Sequence, residues 1–359
     1  MAPDPARSHP VHRPHALNAA GGGMRKRRLA AGLLVAIALA PGTFVRTHIP
    51  QDGRPHLEIA RLDAEPARAG SEGVGVEGLW DVAGLWELSS DRLDFGGYSA
   101  MLLIGNGQLR LFSDRGQILT FSAPDAGVSK PAHVAFIGDR GDLSDNPADV
   151  ESAMRDPSTG EYWLGYENSN SLIRYAPTME LIVTSRPPQW QDWPRNAGAE
   201  AMARLPDGRF MVLPEGASTG LLYSSDPITD EEPLAFAFSV PGEYSPTDMT
   251  ALPDGRVLVL LRKVAAGLPP FATAIAIADP AELETGNSLD LDLLVRLDDI
   301  LPSENYEGLA LAGVEEDGAV ALWLVSDDNL SVIQRTLLAK VVWREAMPAA
   351  RAQEKAREE

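Results

Sequence analysis

The stretch Ala199-Glu200-Ala201-Met202-Ala203-Arg204-Leu205-Pro206-Asp207-Gly208-Arg209-Phe210-Met211-Val212-Leu213-Pro214-Glu215 decides the fold. An acid opens an apolar run, Pro-Asp-Gly interrupts it, and a second apolar run ends on another acid. Asp-Gly between apolar runs signals a hairpin, because glycine tolerates the positive φ of a tight reversal. The design returns as Thr247-Asp248-Met249-Thr250-Ala251-Leu252-Pro253-Asp254-Gly255-Arg256-Val257-Leu258-Val259-Leu260-Leu261-Arg262.

Working outward, related openings stand at Phe95-Gly96-Gly97-Tyr98-Ser99, Val150-Glu151-Ser152-Ala153-Met154 and Tyr306-Glu307-Gly308-Leu309. The key positions are 99, 151, 200, 248 and 307, separated by 52, 49, 48 and 59 residues. A period of this size marks propeller blades. Turns follow at Pro157-Ser158-Thr159-Gly160 and Glu316-Asp317-Gly318, then β-rich runs such as Tyr162–Tyr166 and Ala321–Val325. Ser171–Tyr175 reads as a third strand. The fold class is therefore all-β: a β-propeller of four-stranded blades, with five repeats countable.

The chain has 359 residues, with 31 Lys+Arg against 51 Asp+Glu, a formal charge of −20. Nucleic acid, which needs a basic footprint, is excluded as a partner class. There is no Cys, so disulfides, thiolate metal sites and a Cys nucleophile are excluded too. Arg25-Lys26-Arg27-Arg28, the apolar run Leu29–Ala40 and the small residues Ala38 and Ala40 read as a secretory signal. Residues 1–40 are thus an extension with a signal peptide, 41–343 a single propeller domain and 344–359 a charged tail. The expected location is periplasmic or secreted. The alternative is a membrane anchor over residues 29–45, short for a span and broken by Pro41 and Gly42. Apart from that segment no membrane contact is expected, and the protein reads as a monomer.

A second polar residue closes the second strand of each repeat: Asp114, Glu167, Glu215, Arg262 and Asp327, lying 15, 16, 15, 14 and 20 residues after the key positions. In a hairpin the start of strand one and the end of strand two share one end. Radially closed blades therefore gather about ten polar groups, mostly carboxylates, around one mouth of the channel. Hard divalent cations, Ca²⁺ foremost, take six to eight oxygens from such groups. Taken singly, acids at strand ends are ordinary turn residues and edge gatekeepers.

These residues, with Ser113-Asp114-Arg115-Gly116, Asn196-Ala197-Gly198-Ala199-Glu200, Pro246-Thr247-Asp248, Asn305-Tyr306-Glu307-Gly308-Leu309 and Ser326-Asp327-Asp328-Asn329, resemble the phytase-like propeller family over about residues 80–342. Members are described as bacterial exported proteins with phytase-related, esterase-like activity. The resemblance implies an axial site with Arg115 and Arg262 as substrate-binding residues. Its other matching positions are Asp114, Glu151, Glu200, Asp248, Glu307 and Asp327 to Asn329; with Glu167 and Glu215 from the hairpin ends, the expected metal ligands are Asp114, Glu151, Glu167, Glu200, Glu215, Asp248, Glu307, Asp327 and Asp328. The resemblance favours six blades, with Leu57–Leu62 or Gly84–Leu88 completing the C-terminal one. Two departures stand out: Leu261-Arg262 where the family has Glu-Arg, and Ala199-Glu200-Ala201 where it has Phe-Glu-Gly.

Three functions follow as expectations. The first is a divalent-metal-dependent phosphoester or ester hydrolase acting on a small molecule. The second is a lactone hydrolase of gluconolactonase type. The third is a ligand-binding or scaffolding propeller with a structural ion. Few Lys follow residue 40 (Lys130, Lys263, Lys340, Lys355), which weighs against phosphate-rich substrates. Gly216-Ala217-Ser218-Thr219-Gly220 matches a nucleophile elbow but has a strand on each side, so it reads as a hairpin loop. His133 reads as a strand residue without a catalytic role, Asp290-Leu291-Asp292-Leu293 as one half-solvated strand, and Trp86, Trp163 and Trp323 as packing between blades.

Overall fold

The computed structural model describes residues 53–64, 79–127, 129–137, 149–193, 198–284, 286, 288–331 and 333–344. The predicted signal or anchor segment and the tail beyond residue 344 lie outside them. No helix among the described residues is long and apolar enough to cross a membrane.

Two N-terminal strands come first, β1 (Leu57–Leu62) and β2 (Trp80–Ser90). Blade one is β3 (Tyr98–Ile104), β4 (Gln108–Ser113), β5 (Gln117–Ser122) and β6 (His133–Phe136). Blade two is β7 (Val150–Arg155), β8 (Tyr162–Tyr166), β9 (Ser171–Tyr175) and β10 (Leu181–Ser185). Blade three is β11 (Ala199–Arg204), β12 (Phe210–Pro214), β13 (Thr219–Tyr223) and β14 (Leu234–Ser239). Blade four begins with β15 (Ser245–Ala251), β16 (Val257–Val264) and β17 (Phe271–Ala278). Next, β18 (Ser288–Asp290) runs parallel to β14 on the edge of blade three, and β19 (Asp292–Arg296) completes blade four. Blade five is β20 (Tyr306–Val314), β21 (Val320–Ser326) and β22 (Leu337–Trp343).

The two N-terminal strands do not found a blade of their own. β2 pairs with β22, and β1 with β2, so blade five takes them as its outer strands. Both expected closing segments therefore serve together. Around the axis β3 touches β7, β7 touches β11, β11 touches β15, β15 touches β20, and β20 returns to β3. The ring is complete with five blades, which corrects the expected six.

Apolar side chains alternate along each strand and meet those of the next blade. Five main clusters result, each shared by two neighbours. Leu213 and Phe236 of blade three pack with Val259 and Leu261 of blade four. Leu258 and Leu260 pack on the other side with Leu322 and Leu324 of blade five. Trp163 of blade two meets Phe210 of blade three edge-on at 5.3 Å, and Trp86 and Trp323, 5.6 Å apart in blade five, pack in the cluster it shares with blade one. The Pro-Asp-Gly turns take the positive φ their sequence demands, 95° at Gly208 and 96° at Gly255.

Candidate functional site

Every innermost strand carries a β-bulge near its start. The skipped residues are Ser99 (Tyr98↔Ser113, then Ala100↔Phe112), Glu151, Glu200, Thr247 and Glu307. A bulge leaves one residue unpaired and re-aims its side chain. The equivalent of Glu200 in blade four is therefore Thr247, not Asp248, which lies one residue further along the ladder. With that shift, blade four's spacing to Arg262 becomes 15 residues.

The closing positions match across all blades. Asp114, Glu167, Glu215, Arg262 and Asp327 each directly follow the residue paired just before the bulge. Leu261, where the sequence departs from the family, is fully buried in the core of blades three and four, so the departure does not touch the mouth. Gly198 permits the tightest approach: a Cβ there would stand 2.9 Å from the Glu167 Cα. Residue 198 is thus kept small while Glu167 comes up against the strand that carries Glu200.

Among the described residues, two acidic groups bring ligand oxygens within 4.8 Å of one another: Asp149, Glu151 and Glu167; and Glu167, Glu200 and Glu215. Glu167 belongs to both. Asp149 was not anticipated; its signal is its place two residues before Glu151, on the approach to the bulge. Burial, then the negative charges of Glu200 and Glu307, hold Glu151 well above the usual carboxylate range. Burial, then Glu215 and Glu167, do the same to Glu200. Glu167 is pushed up to about 7 by burial, then by Asp149 and Glu215. An all-oxygen, anionic set crowded this way suits a hard divalent cation, which would replace protons as the neutralising charge.

Arg262 supplies the internal positive charge. It pairs with Glu307 and with Glu215 at 3.2 Å, and donates to Asn305 Oδ1 at 3.3 Å. Asn305, also missed in the sequence, donates to Glu307 at 2.8 Å. Burial raises the Glu307 carboxyl and Arg262 opposes the rise. These contacts engage Arg262 with the protein's own acids. Arg115 is more open, with 36% of its side chain exposed and its Nε 4.0 Å from Asp114. Asp114 is pushed up to about 7, chiefly by burial against the opposing pull of Arg115, and its Oδ1 has no hydrogen-bond partner.

The remaining expected ligands are engaged by backbone. Asp248 accepts from Met249 N and from Leu309 N of blade five, both at 2.7 Å. Ser152, the matching residue of blade two, donates to the Ala199 carbonyl of blade three. Asp327 accepts from Asn329 N at 2.7 Å. Asp328 accepts from Gly97 N, Leu330 N and the Thr336 hydroxyl, joining blade five to blade one. Burial raises Asp327, and Glu307 and Asp114 add to it.

The other sequence features fall as follows. Ser218 sits between β12 and β13 with no helix after it, as a hairpin loop requires. His133 is exposed at the start of β6. Asp290 and Asp292 are not in one strand: they end β18 and begin β19, with Leu291 buried between them.

Fold and mouth together define a five-bladed propeller with a carboxylate-lined axial site. The chain belongs to the phytase-like family described as "esterase-like activity of phytase", matched over residues 93–330. No curated protein matches it. Among solved structures it is similar to a luciferin-regenerating enzyme (16% identity, 69% of this chain and 80% of that one, TM-score 0.41). A candidate gluconolactonase shares 14% identity over 82% of this chain and 92% of its own (TM-score 0.41). A PQQ-bound aldose sugar dehydrogenase from Streptomyces coelicolor shares 13% identity over 73% and 98% (TM-score 0.40). Likenesses at this level carry no conclusion about function.

Proposed function

We propose that the protein is an exported, divalent-metal-dependent hydrolase of esters, working at the axial mouth. One observation carries this: two clusters of carboxylates that share Glu167, where the inner hairpins of blades two and three begin and end. Asp149, Glu151, Glu167, Glu200 and Glu215 would hold the cation, with Ca²⁺ the favoured ion for oxygen ligands. Bound there, the cation supplies Lewis-acid polarisation of an ester oxygen and a more acidic water.

The chain's own residues do the rest. Arg262 pairs with both Glu307 and Glu215 and holds their side chains in place. Arg115 binds the developing oxyanion. Asp114, titrating near neutrality, takes up or gives a proton at its free Oδ1, a suitable property for a general acid or base. Arg262 is already paired with acids and Arg115 lies against Asp114, so beyond the cation the acid-lined mouth offers a polyanionic phosphate ester little compensation. A carboxylic ester or lactone is favoured over a phosphoester.

The experiment is turnover of carboxylic ester, lactone and phosphomonoester panels in Ca²⁺ and in EDTA, with Glu167→Gln beside the wild type. Ca²⁺-dependent hydrolysis lost in the variant supports the proposal. Binding of Ca²⁺ without turnover of any panel favours the scaffolding propeller. Export is supported by the segment Arg25–Ala40 and is tested by N-terminal sequencing of protein from the envelope fraction.

A further inference from the structure

A cavity of about 790 Å³ lies beside the mouth, between blades four and five. It shares a wall with the site. Phe271 lines it and places its ring 5.9 Å from the Arg262 guanidinium. Glu304 lines it and immediately precedes Asn305, the residue bonded to Arg262 and Glu307.

The charged lining is three acids, Asp63, Asp298 and Glu304, against one cation, Arg335. Arg335 Nε donates to Glu304 Oε1 at 3.1 Å. Glu304 Oε2 is buried without a hydrogen-bond partner, on a side chain only 2% exposed. The rest of the wall is mainly apolar, and Leu268 at its rim is 86% exposed. A buried carboxylate oxygen without a donor is costly, so a ligand that donates to it gains affinity. The net negative, acceptor-rich wall selects against anions, and the apolar remainder selects a hydrocarbon body.

We propose that this cavity binds an alkyl- or arylammonium group, and that in the reaction it seats the non-reacting end of the substrate, making the substrate class a cationic, apolar ester. The word "ester" rests on the hydrolase proposal; the ammonium site does not.

The test is calorimetric titration of the full chain, saturated with Ca²⁺ at fixed salt, with n-hexylammonium, n-hexanol and n-hexanoate. Hexylammonium is expected to bind one per chain, at least about tenfold tighter than the other two. Glu304→Gln should weaken it about tenfold, whereas Arg335→Gln, which removes the competing cation, should tighten it several-fold. Leu268→Asn, at an exposed position where folding is not at stake, should weaken it several-fold with the melting temperature unchanged. Equal affinity for hexanol or hexanoate overturns the proposal, as does weakened or unchanged binding in Arg335→Gln or unchanged binding in the other two variants. Hexylammonium binding without hydrolysis of any ester removes the hydrolase proposal and leaves the site standing. Ester hydrolysis without hexylammonium binding removes this inference alone.

Discussion

Asp248 separates a strut from a ligand. Its side chain is 2% exposed, and each oxygen accepts one backbone amide at 2.7 Å, one of them across the boundary between blades four and five. Asp248→Asn keeps one acceptor and turns an NH₂ toward the other amide, so one buried N–H is orphaned at about 1–3 kcal/mol. Asn also escapes the burial that drives the Asp248 carboxyl well above its usual range, which places the loss toward the lower end. Asp248→Ala orphans both amides, about 2–6 kcal/mol. For a domain of this size each kcal/mol lowers the melting temperature by about 2–4 °C. The assay is urea denaturation and calorimetry, in EDTA and in Ca²⁺. The same loss is expected in both, with the Ca²⁺-induced stabilisation intact. Unchanged stability in EDTA with a lost Ca²⁺ response would make Asp248 a ligand and refute the reasoning.

Other perturbations test other parts of the mouth. Glu200→Gln removes a buried like charge, so the EDTA form should melt higher than wild type while its response to Ca²⁺ shrinks. Arg262→Gln leaves Glu307 and Glu215 without their cation; allowing for partial exposure, the cost is about 2–4 kcal/mol in EDTA, smaller in Ca²⁺, read by urea titration. Glu167 titrates at about 7 in the fold against 4.5 ordinarily, so between those values the folded form holds a proton that the unfolded chain has released. Stability in EDTA should therefore fall as pH rises from about 4.5 to 7, and Ca²⁺ should flatten the slope; a rise over that window in EDTA contradicts the shift. Arg115→Gln should lower kcat/KM on any ester turned over by roughly 10²-fold with an unchanged melting temperature.

Much of this architecture is written in local chemistry. The Asp-Gly turns at Gly208 and Gly255 and the apolar runs around them specify hairpins without help from the rest of the chain. The recurring acids give the period. The blade count is different, because it depends on pairing between ends of the chain. Leu57–Leu62 looks like any other strand, and only its distant partners make it the edge of blade five rather than the start of another. The bulge is also hard to read. Thr247 and Asp248 are adjacent, and the acid is the natural choice when charge is the signal. The backbone instead skips Thr247, so Asp248 turns into the blade interface. Asp149 is legible only once the Glu151 bulge is known. Arg262 and Asn305 show how a mouth lined by acids carries its own counter-charge, a matter of three-dimensional proximity between residues 215, 262, 305 and 307.

Calorimetric titration of Ca²⁺ into metal-free wild-type protein and into Glu167→Gln tests the axial site most directly. Because Glu167 belongs to both acidic groups, the wild type should bind Ca²⁺ and the variant should lose that binding, with folding retained. Undiminished Ca²⁺ binding by the folded variant, or no binding by the wild type at millimolar Ca²⁺, would contradict a metal centre at the mouth.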